Sequence, residues 1–116
     1  MKEGIYRVVF ESSLSAFGDG IAIVSDGCVY GGDMGFTCRG YITQPVLELI
    51  VSQYDPDIPS TTGMKGGYIL LMTYHELAEG EYHFTGYVKG HPDRKMMATV
   101  SYLVGLLPPE KVNKES

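Results

Sequence analysis

The chain lacks tryptophan, has only two cysteines, and contains no long hydrophobic run in its 116 residues. A membrane-spanning helix needs about 20 consecutive apolar residues, and the longest apolar stretches here, such as VLELIV and YILLM, are much shorter. Membrane insertion is therefore not expected. The opening segment MKEGIYRVVF has no signal-peptide core because Arg7 interrupts its apolar run, so we expect a cytosolic protein.

Positive charge is also scarce. Nine lysines and arginines stand against fourteen aspartates and glutamates, which gives a net charge of -5. The basic residues are scattered and form no basic helix. A nucleic-acid binder needs a basic surface to neutralise phosphates, so direct nucleic-acid contact is not expected.

The two cysteines lie symmetrically about Asp33. Cys28 and Cys38 could therefore face each other across a hairpin and form a disulfide. A reducing cytosol keeps thiols free, and the segments around both residues are apolar. The sequence thus favours two ordinary buried thiols over a bridge.

What the chain does have is alternation, with many glycines (15) and tyrosines (9). Apolar and polar residues alternate in at least seven segments that are separated by Gly, Pro or Asp turns, including FGDG and SDG. This pattern predicts an all-β, closed or nearly closed, antiparallel up-and-down barrel of about eight strands. HELAEG, residues 75–80, is the one helical candidate. We expect a single domain over residues 1–107 and a polar, flexible tail over residues 108–116.

The interior of such a barrel is either filled by side chains or holds one small ligand. Alternation assigns aromatic side chains to this interior: Tyr6, Phe10, Tyr82, Phe84 and Tyr102. These residues fill the space in one interpretation and line an apolar cavity in the other.

The stretch YGGDMGF, Tyr30 to Phe36, invites comparison with a phosphate-binding loop. A phosphate loop joins a strand to a helix N-terminus, but this stretch lies between two strand-like segments. We therefore interpret it as a strand corner in which Gly31 and Gly32 allow curvature and Asp33 binds local backbone amides.

No other motif predicts an enzyme. The acidic segment His75 to His83 breaks the His-Glu-x-x-His spacing of zinc proteases because Glu79 occupies the position of the second histidine. Neither cysteine nor any serine lies in a nucleophile-elbow context. We expect no catalytic activity, no metal and no cofactor.

The segment GYILLMTY is apolar on both faces, so one face has to point away from the barrel. If Ile69 and Leu71 point inward, Leu70 and Met72 point outward, or the reverse. We assign the exposed stripe, and with it the homodimer interface, to Leu70 and Met72. Coverage by HELAEG or by the C-terminal segment of the same chain is the alternative.

Four segments in order, GIYRVVF, GDGIAIVSDGCVYGGD, YDPDIPS and YVKG, resemble the GrlR-like negative regulators of type III secretion. The similarity runs from about residue 3 to residue 106. It implies a lipocalin-like homodimeric barrel that binds a transcriptional activator without contacting DNA. The acidic loop that the family uses corresponds here to Thr43, Gln44 and Pro45, which carry no carboxylate.

We therefore expect a non-enzymatic regulatory protein that captures a transcriptional activator. In this prediction, either of two other acidic loops replaces the missing acidic run: Asp55 and Asp57, or Glu76, Glu79 and Glu81. The alternative is a carrier or sensor that holds one small apolar ligand in the barrel.

Overall fold

The computed structural model describes residues 1–43, 46–108 and 110. Within them, eight antiparallel strands follow one another around a closed barrel, and the last strand returns to pair with the first. The strands are β1 Gly4–Ser12, β2 Phe17–Ser25, β3 Cys28–Gly32, β4 Phe36–Thr43, β5 Val46–Gln53, β6 Tyr68–Ala78, β7 Glu81–Val88 and β8 His91–Val104. This architecture confirms the predicted small up-and-down barrel.

Alternation along each strand builds the wall of the barrel. In β1, Tyr6 is fully buried while its neighbour Arg7 is exposed. In β7, Tyr82, Phe84 and Val88 are buried on the same side. Successive side chains of a strand point to opposite faces, so each strand places one set of side chains inside and the other outside.

The predicted SDG hairpin joins β2 to β3. Asp26 and Gly27 both have positive φ, 51° and 73°. Positive φ at both central residues defines the two-residue turn whose twist matches that of paired strands. The sequence correctly predicts this connection.

The helical candidate at residues 75–80 does not form a helix. His75 to Ala78 continue β6, where His75 pairs with His83 of β7. Gly80, with φ of 78°, then makes the turn. A helix of one or two turns is too short to be stable alone, and the ladder with β7 satisfies the same backbone groups. No helix occurs in the part of the chain that the structure describes.

The segment FGDG is not the turn that the sequence suggested. Residues 17–20 begin β2 and pair with β1, with Phe17 opposite Glu11. The turn lies earlier, at residues 13–16, where Ser15 has a positive φ of 59°. Glycine allows an extended conformation as readily as a turn, so its presence alone did not locate the connection.

The hypothesis that the two cysteines face each other is also wrong. Cys28 lies opposite Tyr41, and Cys38 lies opposite Gly31. The corner between β3 and β4 is three residues long, 33–35, so the register is not symmetric about Asp33. The two thiols therefore lie on opposite faces of the sheet, and both are free.

Alternating strand directions give the barrel two different ends. The connections of residues 13–16, 33–35, 54–67 and 89–90 lie together at one end, which we call the long-loop end. The turns of residues 26–27 and 79–80 lie at the other end, with the chain before β1 and the chain after β8; we call it the short-turn end.

The structure describes most of the predicted domain and little of the predicted tail. The barrel spans Gly4 to Val104, inside the predicted domain of residues 1–107. The predicted tail, residues 108–116, lies outside the described residues except for Pro108 and Glu110. The described residues include no helix that could cross a membrane.

Candidate functional site: a barrel with one filled half

Aromatic side chains fill the half of the barrel at the short-turn end. We call this set the aromatic plug: Tyr6, Tyr74, Tyr82, Phe84 and Tyr102. Tyr6 is 0% exposed, and its ring meets those of Tyr82 and Tyr102 edge-on at centroid distances of 6.2 Å and 5.5 Å. Tyr74 stacks on Phe84 at 4.8 Å. Such edge-on and stacked pairs are favourable aromatic arrangements.

The N-terminal residues close this half from outside. The Tyr6 hydroxyl donates a hydrogen bond to the Lys2 carbonyl, and the Lys2 ammonium lies 4.1 Å from the centre of the Tyr102 ring. Burial, together with the neighbouring Tyr82 and Tyr102, raises the pKa of Tyr6 to about 12. The hydroxyl therefore remains a neutral donor at every physiological pH.

The other half of the barrel is hollow. A cavity of about 360 Å³ lies at the long-loop end. Its wall consists mainly of apolar side chains from β1, β5, β6 and β8, among them Phe10, Leu49, Val51, Leu70, Met72 and Ala98. A pocket with a largely apolar wall and few polar groups is the usual form of a small-molecule site.

The cavity opens to solvent at the long-loop end and along the side of the barrel. The ladder between β2 and β3 ends at the pair Ile21–Gly32, whereas β2 continues along β1 as far as Phe17. Two apolar side chains at this opening are well exposed, Phe17 at 70% and Met34 at 75%. Exposed apolar groups that border a cavity are typical of ligand entrances and other binding surfaces.

The long connection of residues 54–67 folds across part of the open end. Ile58, Ser60 and Thr61 line the cavity. The connection is held by side-chain hydrogen bonds to its backbone: the Ser12 hydroxyl donates to the Thr61 carbonyl at 2.5 Å, and the Gln53 amide donates to the Ile58 carbonyl at 2.9 Å. These bonds fix the connection as a wall of the cavity.

The corner YGGDMGF forms another part of the rim. Asp33 Oδ1 accepts hydrogen bonds from the backbone amides of Gly35 and Phe36, both at 2.9 Å. β4 begins at Phe36, so a strand and not a helix follows the glycines. The corner interpretation is confirmed, and the same residues acquire a second role because Asp33 and Met34 line the cavity.

Cys38 faces the cavity from β4. Burial and the nearby negative charge of Asp33 raise the pKa of this thiol to about 11. Cys38 is therefore protonated and a poor nucleophile at neutral pH. Cys28 lies on the outer face of the sheet, and both cysteines are partly buried.

Both interpretations of the predicted interior residues are partly right. Tyr6, Tyr82, Phe84 and Tyr102 belong to the plug and fill space, whereas Phe10 lines the cavity. Sequence reasoning missed the entrance residues Phe17 and Met34, since both come from segments that were assigned to turns. Their apolar character in such segments was the available signal.

The predicted exposed stripe on β6 is wrong in its residues. Leu70 and Met72 point inward, with exposures of 6% and 3%, and both line the cavity. Ile69 and Leu71 occupy the outer face instead. Alternation indicated that one pair had to point outward but did not indicate which pair.

The predicted acidic residues are divided between the two ends of the barrel. Asp55 and Asp57 lie in the connection at the long-loop end, where Asp55 Oδ1 accepts a hydrogen bond from the Asp57 amide at 3.0 Å. Glu76, Glu79 and Glu81 lie at the short-turn end. The Tyr82 hydroxyl donates a hydrogen bond to the Glu76 carboxylate. Burial raises the pKa of Tyr82, and the negative charge of Glu76 raises this pKa further. The two clusters therefore cannot act as one acidic surface, and Gln44 and Pro45 lie outside the described residues.

The histidines of the acidic segment form a cross-strand pair. The rings of His75 and His83 have centroids 5.6 Å apart. Within the described residues, no group of three or more His, Cys, Asp or Glu side chains is placed to hold a metal ion.

No protein-family model matches the chain, and no curated protein matches it significantly. The resemblance to GrlR-like regulators therefore stays a prediction, and the function has to be argued from the barrel itself.

Proposed function

We propose that the protein is a non-enzymatic carrier or sensor that holds one small apolar ligand in the hollow half of the barrel. The observation that carries this proposal is the cavity of about 360 Å³. Small-molecule sites usually have volumes of roughly 300–1,000 Å³. A barrel with a filled half and an open half offers a floor, an apolar wall and an entrance.

The chemistry at the cavity supports binding over catalysis. The Cys38 thiol is held protonated by burial and by Asp33. The Asp33 carboxylate already accepts two backbone hydrogen bonds, as expected of a turn-forming side chain. Two free thiols on opposite faces also fit the reducing cytosol in which we place the protein.

The test is binding of the neutral fluorescent probe N-phenylnaphthylamine to the purified protein. We expect its fluorescence to rise on binding and the Leu49→Phe variant to weaken that binding at least about tenfold, which corresponds to about 1.4 kcal/mol. Leu49 lines the cavity, so the larger ring takes up ligand space.

Val9→Phe is the control for this experiment. Val9 lies on the outer face of β1 and does not line the cavity. This variant adds the same ring to the surface and should bind the probe like the parent. Equal binding by the parent, Leu49→Phe and Val9→Phe would place the probe outside the cavity and contradict the proposal.

The second candidate function is regulation through a protein–protein surface, with capture of a transcriptional activator by a homodimer. It is favoured by a row across the outer face of the barrel in which every residue except Arg39 is apolar or aromatic. In the cross-strand register, Ile23 lies opposite Tyr30, Tyr30 opposite Arg39, Arg39 opposite Ile50, and Ile50 opposite Ile69. Directly opposed side chains on one face form a continuous surface, and exposed apolar surfaces are typical of interfaces.

We expect Ile50→Asp to convert a homodimer built on this row into a folded monomer. Ile50 is 44% exposed, and a carboxylate there would be desolvated without a partner in the dimer. Sedimentation velocity measures the outcome. Val9→Asp changes a residue of similar exposure, 41%, outside the row and should remain dimeric. A dimeric Ile50→Asp variant would exclude this surface as the interface.

A further inference from the structure

The charged residues in the described lining of the cavity are all negative. Among the described residues that line the cavity, Asp19 and Asp33 are the only charged ones. No described lysine, arginine or histidine lines it. The charge environment of the entrance therefore distinguishes between ligand head groups even though the wall itself is apolar.

We propose that the ligand of this cavity is an amphiphile with an alkyl chain and a cationic head, such as a long-chain primary amine. This inference rests on the proposed apolar-ligand function and adds the charge of the ligand to it. The alkyl chain occupies the apolar wall, and the ammonium group stays at the entrance beside Asp33. Asp19 lies opposite Val9 on the outer face of β2, so it adds its negative charge from the outer side of the rim.

Two arginines lie near the cavity entrance, but neither one lines the cavity. Arg7 lies on the outside of β1 with a nitrogen 3.9 Å from an Asp19 oxygen, and both side chains are largely exposed. Exposed pairs of this kind are weak and screened by salt. Arg94 donates a hydrogen bond to the Thr62 carbonyl at 3.0 Å. Neither arginine lines the cavity, so neither is placed to pair with the head of a bound ligand.

Asp33 keeps capacity for a cationic partner. Two backbone amides bind its Oδ1, whereas a carboxylate offers about four acceptor positions. Its charge also acts inside the barrel, because it contributes with burial to the raised pKa of Cys38. A second negative group, such as a fatty-acid carboxylate, would meet the same field and would find no cation among the described residues of the lining.

Two further features favour a cation. The exposed ring of Phe17 stands at the entrance, and an aromatic face attracts an ammonium group. The net charge of -5 attracts cationic ligands and repels anionic ones at long range. A carboxylate ligand would have to overcome both effects.

The test is competition against N-phenylnaphthylamine by three ligands of equal chain length: decylamine, decanol and decanoate. At neutral pH and low salt, we expect decylamine to compete at least about tenfold better than decanoate. We expect this ratio to fall as salt rises, because exposed charges are screened. Equal competition by decylamine and decanoate would overturn the inference while leaving the proposed apolar-ligand function intact.

A double variant tests whether the entrance carboxylates cause the preference for decylamine over decanoate. Asp19→Asn with Asp33→Asn removes both charges, and asparagine keeps an oxygen to accept the amide bonds of the corner. We expect the ratio of decylamine to decanoate affinity to approach one. The matched control, Glu3→Gln with Asp26→Asn, removes the same charge at the short-turn end, where Glu3 accepts a hydrogen bond from the Asp26 amide. It should keep the parental ratio.

The remaining outcomes are also decisive. If the double variant keeps the parental ratio, the entrance carboxylates do not select the ligand, and the inference is overturned. If the parent binds neither the probe nor any of the three ligands, the proposed function fails and the inference fails with it. If the probe binds but decylamine has no advantage over decanoate, only the inference of a cationic head fails, and the proposed function stands.

Discussion

Replacing Tyr6 with alanine is expected to lower the free energy of unfolding by about 3–5 kcal/mol, the usual cost of removing a large buried aromatic side chain. Tyr6 is fully buried, contacts the rings of Tyr82 and Tyr102, and donates a hydrogen bond to Lys2. Its loss opens a cavity in the filled half of the barrel. Because small domains are stable by only about 5–15 kcal/mol, urea denaturation should show a large shift.

Two comparison variants are informative. One separates the contribution of the Tyr6 ring to stability from that of its hydroxyl, and the other compares the aromatic plug with the cavity wall. Tyr6→Phe keeps the ring and should cost about 1 kcal/mol for the lost hydrogen bond. Phe10→Ala removes a half-buried ring that already borders empty space, so it should cost less than Tyr6→Ala. If Phe10→Ala proved the more damaging of the two alanine variants, the proposed division into a filled and a hollow half would be wrong.

Gly86→Ala is the second change with a large expected effect, about 3 kcal/mol of lost stability, at the upper end of the usual cost of overpacking. A methyl group on Gly86 of β7 would lie 2.0 Å from the Leu71 carbonyl oxygen and 2.6 Å from the Met72 sulfur. The Leu71 oxygen belongs to the backbone of the neighbouring strand and cannot move without separating β6 from β7. The position therefore requires glycine because two strands approach closely.

Gly90→Ala is the control for this prediction. Gly90 lies in the turn between β7 and β8 with φ of 85°, and an added methyl group meets no atom within 4 Å. Alanine there carries only the strain of the left-handed conformation, about 1–2 kcal/mol. Thermal or urea denaturation should rank Gly86→Ala as the less stable variant. The opposite ranking would show that backbone conformation, and not the close strand approach, dominates at these glycines.

The fold could be predicted because its signals are local. Alternation of side chains such as Tyr6, Arg7 and Val8 follows directly from strand geometry, and the Asp26–Gly27 turn has a sequence signature of its own. Segments whose residues are compatible with more than one structure were misassigned. His75 to Ala78 could form either a helical turn or a strand, and pairing with β7 decides between them.

The candidate site was only partly predictable, because a cavity is a property of packing. Five aromatic residues of the interior were predicted, whereas Tyr74 and Phe36 were missed. Nothing in the spacing of the predicted residues showed that Tyr6 and Tyr82 cluster at one end while Phe10 stands apart. The position of the cavity depends on where the strands start and end, and on the path of residues 54–67. The inward orientation of Leu70 and Met72 depends on register, which their local sequence leaves open.

The measurement that tests the central claim most directly is a nuclear magnetic resonance titration of the protein, labelled at its methionine methyl groups, with N-phenylnaphthylamine. The chain has six methionines. Met34, Met72 and Met96 line the cavity, whereas Met1, Met64 and Met97 do not. A ligand in the hollow half should shift the signals of the first three and leave the other three in place. Shifts confined to Met1, Met64 or Met97, or no shifts at saturating probe, would contradict the account.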